Sequence, residues 1–77
     1  MNAFEIIKLG SNLLKEKKIS SFILDSEILL SKALNKTREN VLVNLDQKIS
    51  KKNILVFKEY LKRRSNYEPI AYILKEK

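Results

Sequence analysis

Apolar residues recur every three or four positions from the start of the chain: Ala3, Ile6, Ile7, Leu9, Gly10, Leu13 and Leu14 fall on one arc of a helix, and Lys8, Ser11, Asn12, Lys15 and Glu16 fall opposite. The pattern predicts an amphipathic helix ending near Lys17. Asn2 stands before it and Glu5 three residues later, the spacing of a capping box. Gly10 lies within the apolar arc, where a missing side chain lets a second helix approach closely and offsets a propensity cost of about 1 kcal/mol against Ala.

Ser20 or Ser21 is placed to cap a second helix running to about Leu34. Phe22, Ile23, Leu29, Leu30, Ala33 and Leu34 cover one side of it, and Leu24 and Ile28 the other. A helix apolar on both sides belongs in the centre of a bundle. After an Asn35-Lys36 turn, Thr37 caps a short third helix through Val41 and Leu42, extending towards Leu45. Asp46-Gln47-Lys48 reads as a loop, and Ser50 caps a fourth helix. Its buried arc is Ile54, Val56, Phe57, Tyr60 and Leu61, with Lys51, Lys52, Lys58, Glu59 and Lys62 facing water.

Pro69 interrupts the pattern. A proline pushes the residue before it towards extended geometry, so the chain is expected to leave the bundle from Glu68 onward. Ile70-Ala71-Tyr72-Ile73-Leu74 is strand-like in composition, but a lone strand is not stable. It either docks on the bundle or pairs with sequence outside these residues. The expected fold is therefore all-α: a small four- to five-helix bundle over residues 1–67 and an extended C-terminal segment over residues 68–77.

Composition narrows the chemistry. The 77 residues contain no Cys and no His, which removes disulfides, thiol nucleophiles, the commonest metal ligand and the usual neutral-pH base. One domain of this size buries a core without room for a large active-site cleft. No apolar run approaches the roughly 18 residues of a membrane span, and the first residues lack the cationic start of a signal peptide, so a cytoplasmic location away from membranes is expected. The formal charge of +7 would attract a polyanion, yet thirteen of the sixteen cations are Lys and only three are Arg. A Lys-rich solvated face explains this better than nucleic-acid binding does, so no nucleic-acid partner is expected.

Individual residues sort the same way. Asp25 and Glu27 are the carboxylates nearest apolar surface, but positions i and i+2 point to different sides of a helix, which disfavours joint acid–base work. Asp25 is instead expected to form a structural ion pair with Arg64, which falls on the apolar arc of the fourth helix. Arg63 stabilises the last turn through the helix dipole and is also available to a partner. Tyr67 and Tyr72 are too few for a stacking platform, and a helix-turn-helix reading is weak because Arg38, Glu39 and Asn40 form a mixed set without the basic recognition face expected there. No catalytic, cofactor-binding or metal-binding residue is expected. The candidate contacts to a protein partner are the wet-face cations Lys8, Lys15, Lys58, Lys62 and Arg63.

Three stretches carry a resemblance: Leu24-Asp25-Ser26-Glu27-Ile28-Leu29-Leu30, Lys36-Thr37-Arg38, and Arg63-Arg64-Ser65-Asn66-Tyr67-Glu68-Pro69-Ile70-Ala71-Tyr72-Ile73. Together they resemble the N-terminal region of the HemK/PrmC protein-(glutamine-N5) methyltransferases, which modify peptide chain release factors. The last pattern is the specific one. Two departures stand out: Tyr67 where the family usually has Gly, and Lys75 where a Gly commonly follows. The resemblance implies a substrate-recognition domain, joined through a linker containing Glu68, Pro69 and Tyr72 to a catalytic domain that binds S-adenosylmethionine and methylates the glutamine of Gly-Gly-Gln in class I release factors. It implies the release factor and that catalytic domain as partners, and a monomer. The Gly-rich loop and Asn-Pro-Pro-Tyr motif of such a catalytic domain are not among these 77 residues, so this chain alone would be chemically mute. The alternatives are a free-standing basic module for RNA or ribosomal surfaces, and a dimerisation unit that recruits a partner by strand pairing.

Overall fold

In the computed structural model, which describes residues 1–75, the chain forms α1 (Ala3–Glu16), α2 (Phe22–Leu34), α3 (Arg38–Leu42), α4 (Lys51–Ser65) and α5 (Ile70–Lys75). Helix α2 packs on all four others. Each helix delivers at least one fully buried side chain to a common core: Ile6 and Leu14 from α1, Leu29 and Leu30 from α2, Val41 from α3, Phe57 from α4 and Ile73 from α5.

The closest approach is at Gly10. A Cβ built there would stand 2.4 Å from Ser26 Oγ and 2.7 Å from Phe57 Cζ, so α1, α2 and α4 meet where the side chain is missing. Ser26, fully buried, donates its hydroxyl to the carbonyl of Ile7 at 2.8 Å and crosses the same α1–α2 contact. No buried side-chain nitrogen or oxygen among the described residues lacks a hydrogen-bond partner.

Helices α1, α3 and α4 start at their expected caps, whereas Ser21 precedes α2 without a side-chain cap bond, because its hydroxyl donates to Asp25 instead. Asn2 and Glu5 exchange both bonds of the capping box, at 2.8 and 2.9 Å. Thr37 accepts from the amide of Asn40, and Ser50 from that of Asn53. The first amides of α1 have no partners within the helix, and the α3–α4 loop supplies them: Ala3 N donates to Gln47 O and Phe4 N to Leu45 O. The stretch expected to be a plain loop is thereby fixed along the start of α1.

Two expectations change. Leu9 is exposed and Ser11 buried, because α2 covers the Ser11 side of α1 and rotates its contact arc away from Leu9. More consequentially, residues 70–74 are helical, not strand-like or extended. Glu68 and Pro69 have no regular structure, as the proline rule requires. The carbonyl of Pro69, however, accepts from the amides of Tyr72 and Ile73, so the proline stands immediately before a helix, where the first amides have no partner within the helix and its missing N–H costs no helical bond. Ile70 and Ile73, one turn apart, then pack on the core, a period that a strand does not provide. Of the segment expected to be extended, residues 76 and 77 lie outside the described residues.

Candidate functional site

The turn from α4 to α5 is tied back to the α1–α2 connection. Arg64 donates its Nε to Asp25 Oδ2 at 2.9 Å and its Nη1 to the carbonyl of Glu68 at 3.0 Å. Ser21 adds a hydroxyl donor to the same Asp25 oxygen at 2.9 Å. Asp25 is almost fully buried, whereas Arg64 keeps a small solvent-facing edge, so the pair is held in low dielectric and closed by one further donor, the Ser21 hydroxyl, and one further acceptor, the Glu68 carbonyl. Arg63 grips the Glu68 carboxylate, with Nε 3.1 Å from both oxygens. That side-chain hydrogen bond, reinforced by the guanidinium charge and opposed by partial desolvation, holds the Glu68 carboxyl below the ordinary glutamate range.

Tyr67 occupies the left-handed region, with φ of 68°, and its hydroxyl donates to the carbonyl of Lys17 at 3.0 Å. A left-handed turn is the conformation in which Gly carries no Cβ penalty. Tyr67, Arg63, Arg64 and Glu68 therefore form one clasp that sets where α5 begins.

The five candidate cations separate. Lys58 and Lys62 edge a shallow groove of about 280 Å³ between α1 and α4, floored by Leu9, Leu13 and Leu61. Lys8 and Lys15 edge a second groove of about 340 Å³ bounded by α1, the first turns of α2, and Leu42 and Leu45 beyond. Arg63 belongs to the clasp. A wider depression of about 760 Å³ is lined by α1 alone and is a helix surface, not a cleft.

The second groove is the more built of the two. Phe4 and Ile23 are more than half exposed across it, and Lys15 Nζ lies 5.7 Å from the centre of the Phe22 ring. Glu27, the carboxylate on its wall, is neutralised by Arg38 at 2.8 Å. Sequence periodicity missed this groove because it assigned Ile23 and Phe22 to a buried side. The legible signal was the surplus of apolar residues at the start of α2, wider than any one neighbour can cover.

Asp25 and Glu27 are each committed to an arginine, and among the described residues no group of His, Cys, Asp or Glu is placed to hold a metal. The only glycine is buried in α1, so no Gly-rich loop for a nucleoside cofactor exists in this chain, and its residues do not fit S-adenosylmethionine. Among the described residues no helix is long and apolar enough to cross a membrane. Tyr72 is exposed on α5, next to the buried Ile73.

Comparison with known proteins identifies the family. The family model described as the PrmC N-terminal domain matches residues 5–74. The chain is 39% identical over 70 residues to a bifunctional methyltransferase of Rickettsia felis, covering 91% of this chain and 13% of that protein. It is 35% identical over 72 residues to a release factor glutamine methyltransferase of Leptospira interrogans, covering 94% of this chain and 25% of that protein. A release factor glutamine methyltransferase of Buchnera aphidicola is 44% identical over 62 residues, which is 79% of this chain and 22% of that protein. No solved structure matches. The chain thus spans between an eighth and a quarter of the length of these relatives, and the match takes in every helix of the bundle: the chain belongs to the PrmC N-terminal domain family.

Proposed function

We propose that this chain is the substrate-recognition domain of a methyltransferase that methylates the glutamine of Gly-Gly-Gln in class I peptide chain release factors, with S-adenosylmethionine bound by a separate catalytic domain. The observation that carries this reading is the family match across residues 5–74, together with relatives named release factor glutamine methyltransferase. A glutamine amide is a weak nucleophile, so such a reaction depends on holding its nitrogen in line with the methyl donor, and a domain that fixes a large protein substrate supplies that orientation. In this reading Glu68, Pro69 and Tyr72 lead towards the catalytic domain, and the exposed Tyr72 and Leu74 of α5 meet it. Lys8, Lys15, Lys58, Lys62 and Arg63 supply the positive surface that meets the release factor.

Isothermal titration of this chain with a class I release factor tests the reading. Binding is expected, weakened by added salt and by Lys58→Glu with Lys62→Glu while the circular dichroism spectrum is unchanged. No heat of binding to the release factor, or tighter binding to single-stranded RNA with a steep salt slope, overturns it.

A further inference from the structure

The groove between α1, α2 and the α3–α4 loop has a shape and a charge pattern that select an occupant. It follows α1 from Phe4 to Lys15, which at the helical rise is about 16 Å, or roughly three turns. Its surface is mostly apolar, and Phe4 and Ile23 stand exposed at 54% each on facing helices, ready to clasp an apolar side chain between them. The loop wall is tied to α1, because the carbonyl of Leu45 accepts from the Phe4 amide. Lys8 and Lys15 rise along one rim, seven residues and hence about 10 Å apart, which is two helical turns. Lys8 makes no ion pair among the described residues, and the wall carboxylate Glu27 is cancelled by Arg38. The site is therefore net positive at its edge and oily within.

We propose that this groove receives an acidic amphipathic helix of the partner protein, with apolar side chains at i, i+4 and i+7 entering between Phe4 and Ile23 and carboxylates two turns apart meeting Lys8 and Lys15. Helix-in-groove recognition reads apolar anchors at this spacing. Rim charges of one sign then orient the occupant and speed its capture. A nucleic acid would leave the apolar floor unsatisfied. Helix α5 packs on α2 and α4, and none of its residues lines the groove. The inference rests on the recognition reading above, in that the occupant is taken to be a segment of the substrate protein.

The test uses this chain, labelled with nitrogen-15, and a designed helical peptide of about 14 residues, roughly four turns, bearing Leu at those three positions and Glu along one flank. Amide shifts are expected at Phe4, Lys8, Ile23 and Leu45. Phe4→Ser with Ile23→Ser is expected to weaken binding by about tenfold or more, as for truncated interface anchors. Both positions are exposed, so the fold survives the change. Lys8→Glu with Lys15→Glu should abolish binding of the Glu peptide and restore it for a Lys-flanked peptide. Equal binding of the Glu and Lys peptides to the unaltered chain, shifts confined to the α1–α4 groove, saturation of the same residues by oligo(U) or by phosphatidylglycerol vesicles, or concentration-dependent self-association through Phe4 and Ile23 each overturn the proposal. The release-factor titration separates the two readings: a factor that binds with undiminished affinity to the Phe4→Ser, Ile23→Ser chain removes the groove and leaves the recognition role standing.

Discussion

Gly10→Ala adds one methyl group at the tightest point of the bundle, and two opposing effects can be weighed. In an exposed helix the change stabilises by about 1 kcal/mol. Here the new carbon would meet Ser26 Oγ at 2.4 Å and Phe57 Cζ at 2.7 Å. The serine hydroxyl can rotate aside, but it then loses its 2.8 Å bond to Ile7 O in a fully buried setting, a loss of about 1–3 kcal/mol. Phe57 has no exposed surface into which its ring can move, and overpacking of this kind costs about 1–3 kcal/mol. The net expectation is destabilisation by about 1–5 kcal/mol, a fall in Tm of roughly 5 °C or more for a domain of this size. Urea denaturation followed by circular dichroism measures it, with Ser26→Ala and the double variant completing a cycle. Removing the serine oxygen relieves the shorter contact, so the double variant should be more stable than the sum of the singles by about 1 kcal/mol. A Gly10→Ala chain that melts at or above the parent temperature would refute the close three-helix contact.

Asp25→Ala strands Arg64 with only the Glu68 carbonyl and a sliver of solvent, and is expected to destabilise by about 3 kcal/mol, the low end for a broken buried pair because Arg64 is not fully enclosed; a loss below about 1 kcal/mol in the same urea assay would show that the pair contributes little. Tyr67→Gly relieves a left-handed side chain while giving up the bond to Lys17 O, so it should fall within about 1 kcal/mol of the parent, whereas Tyr67→Val, β-branched at positive φ, should cost about 2 kcal/mol. Equal effects of the two would show that strain at this turn is not the deciding quantity. Glu68 titrates below its ordinary value, so the stability it contributes is fully present above the unfolded-chain glutamate pKa and is lost only as pH falls through the lower folded value. A carbon-13 titration of its carboxyl should show that depressed midpoint and its return towards the ordinary range in Arg63→Gln; an ordinary midpoint in the parent chain would contradict the clasp.

What could be read from the chain and what could not divides by the range of the interactions involved. Helix starts were legible because their determinants lie within four residues: Asn2 with Glu5, Thr37 with Asn40, Ser50 with Asn53. Gly10 was legible as a close contact because a glycine in an apolar arc has few other uses, and Arg64 with Asp25 because two lone charges on apolar faces have few other partners. The partners of the first α1 amides were not legible, since Leu45 and Gln47 lie more than forty residues away and offer only backbone carbonyls, which every residue has. The groove was missed for a related reason. Periodicity reports that Phe22 and Ile23 are apolar, but whether a neighbour covers them depends on how far α3 reaches, and α3 is only five residues long.

The error at α5 is instructive about Pro69. Composition and the proline rule together favoured an extended exit, and the rule was correct for the residue to which it applies, Glu68. Its extension to the following residues fails because a proline that ends one helix is equally suited to begin the next. The reversal needs a sharp change of direction between Asn66 and Glu68, and that change is made by Tyr67 at positive φ. Gly at this point would reach the same conformation without strain, but it could not donate to Lys17 O. Tyr67 accepts about 1 kcal/mol of backbone strain and in return fastens the turn to the α1–α2 connection, where Ser21 and Asp25 already hold Arg64. The turn before α5 is consequently fastened at two points, to the residue that ends α1 through Lys17 and to the first turn of α2 through Asp25.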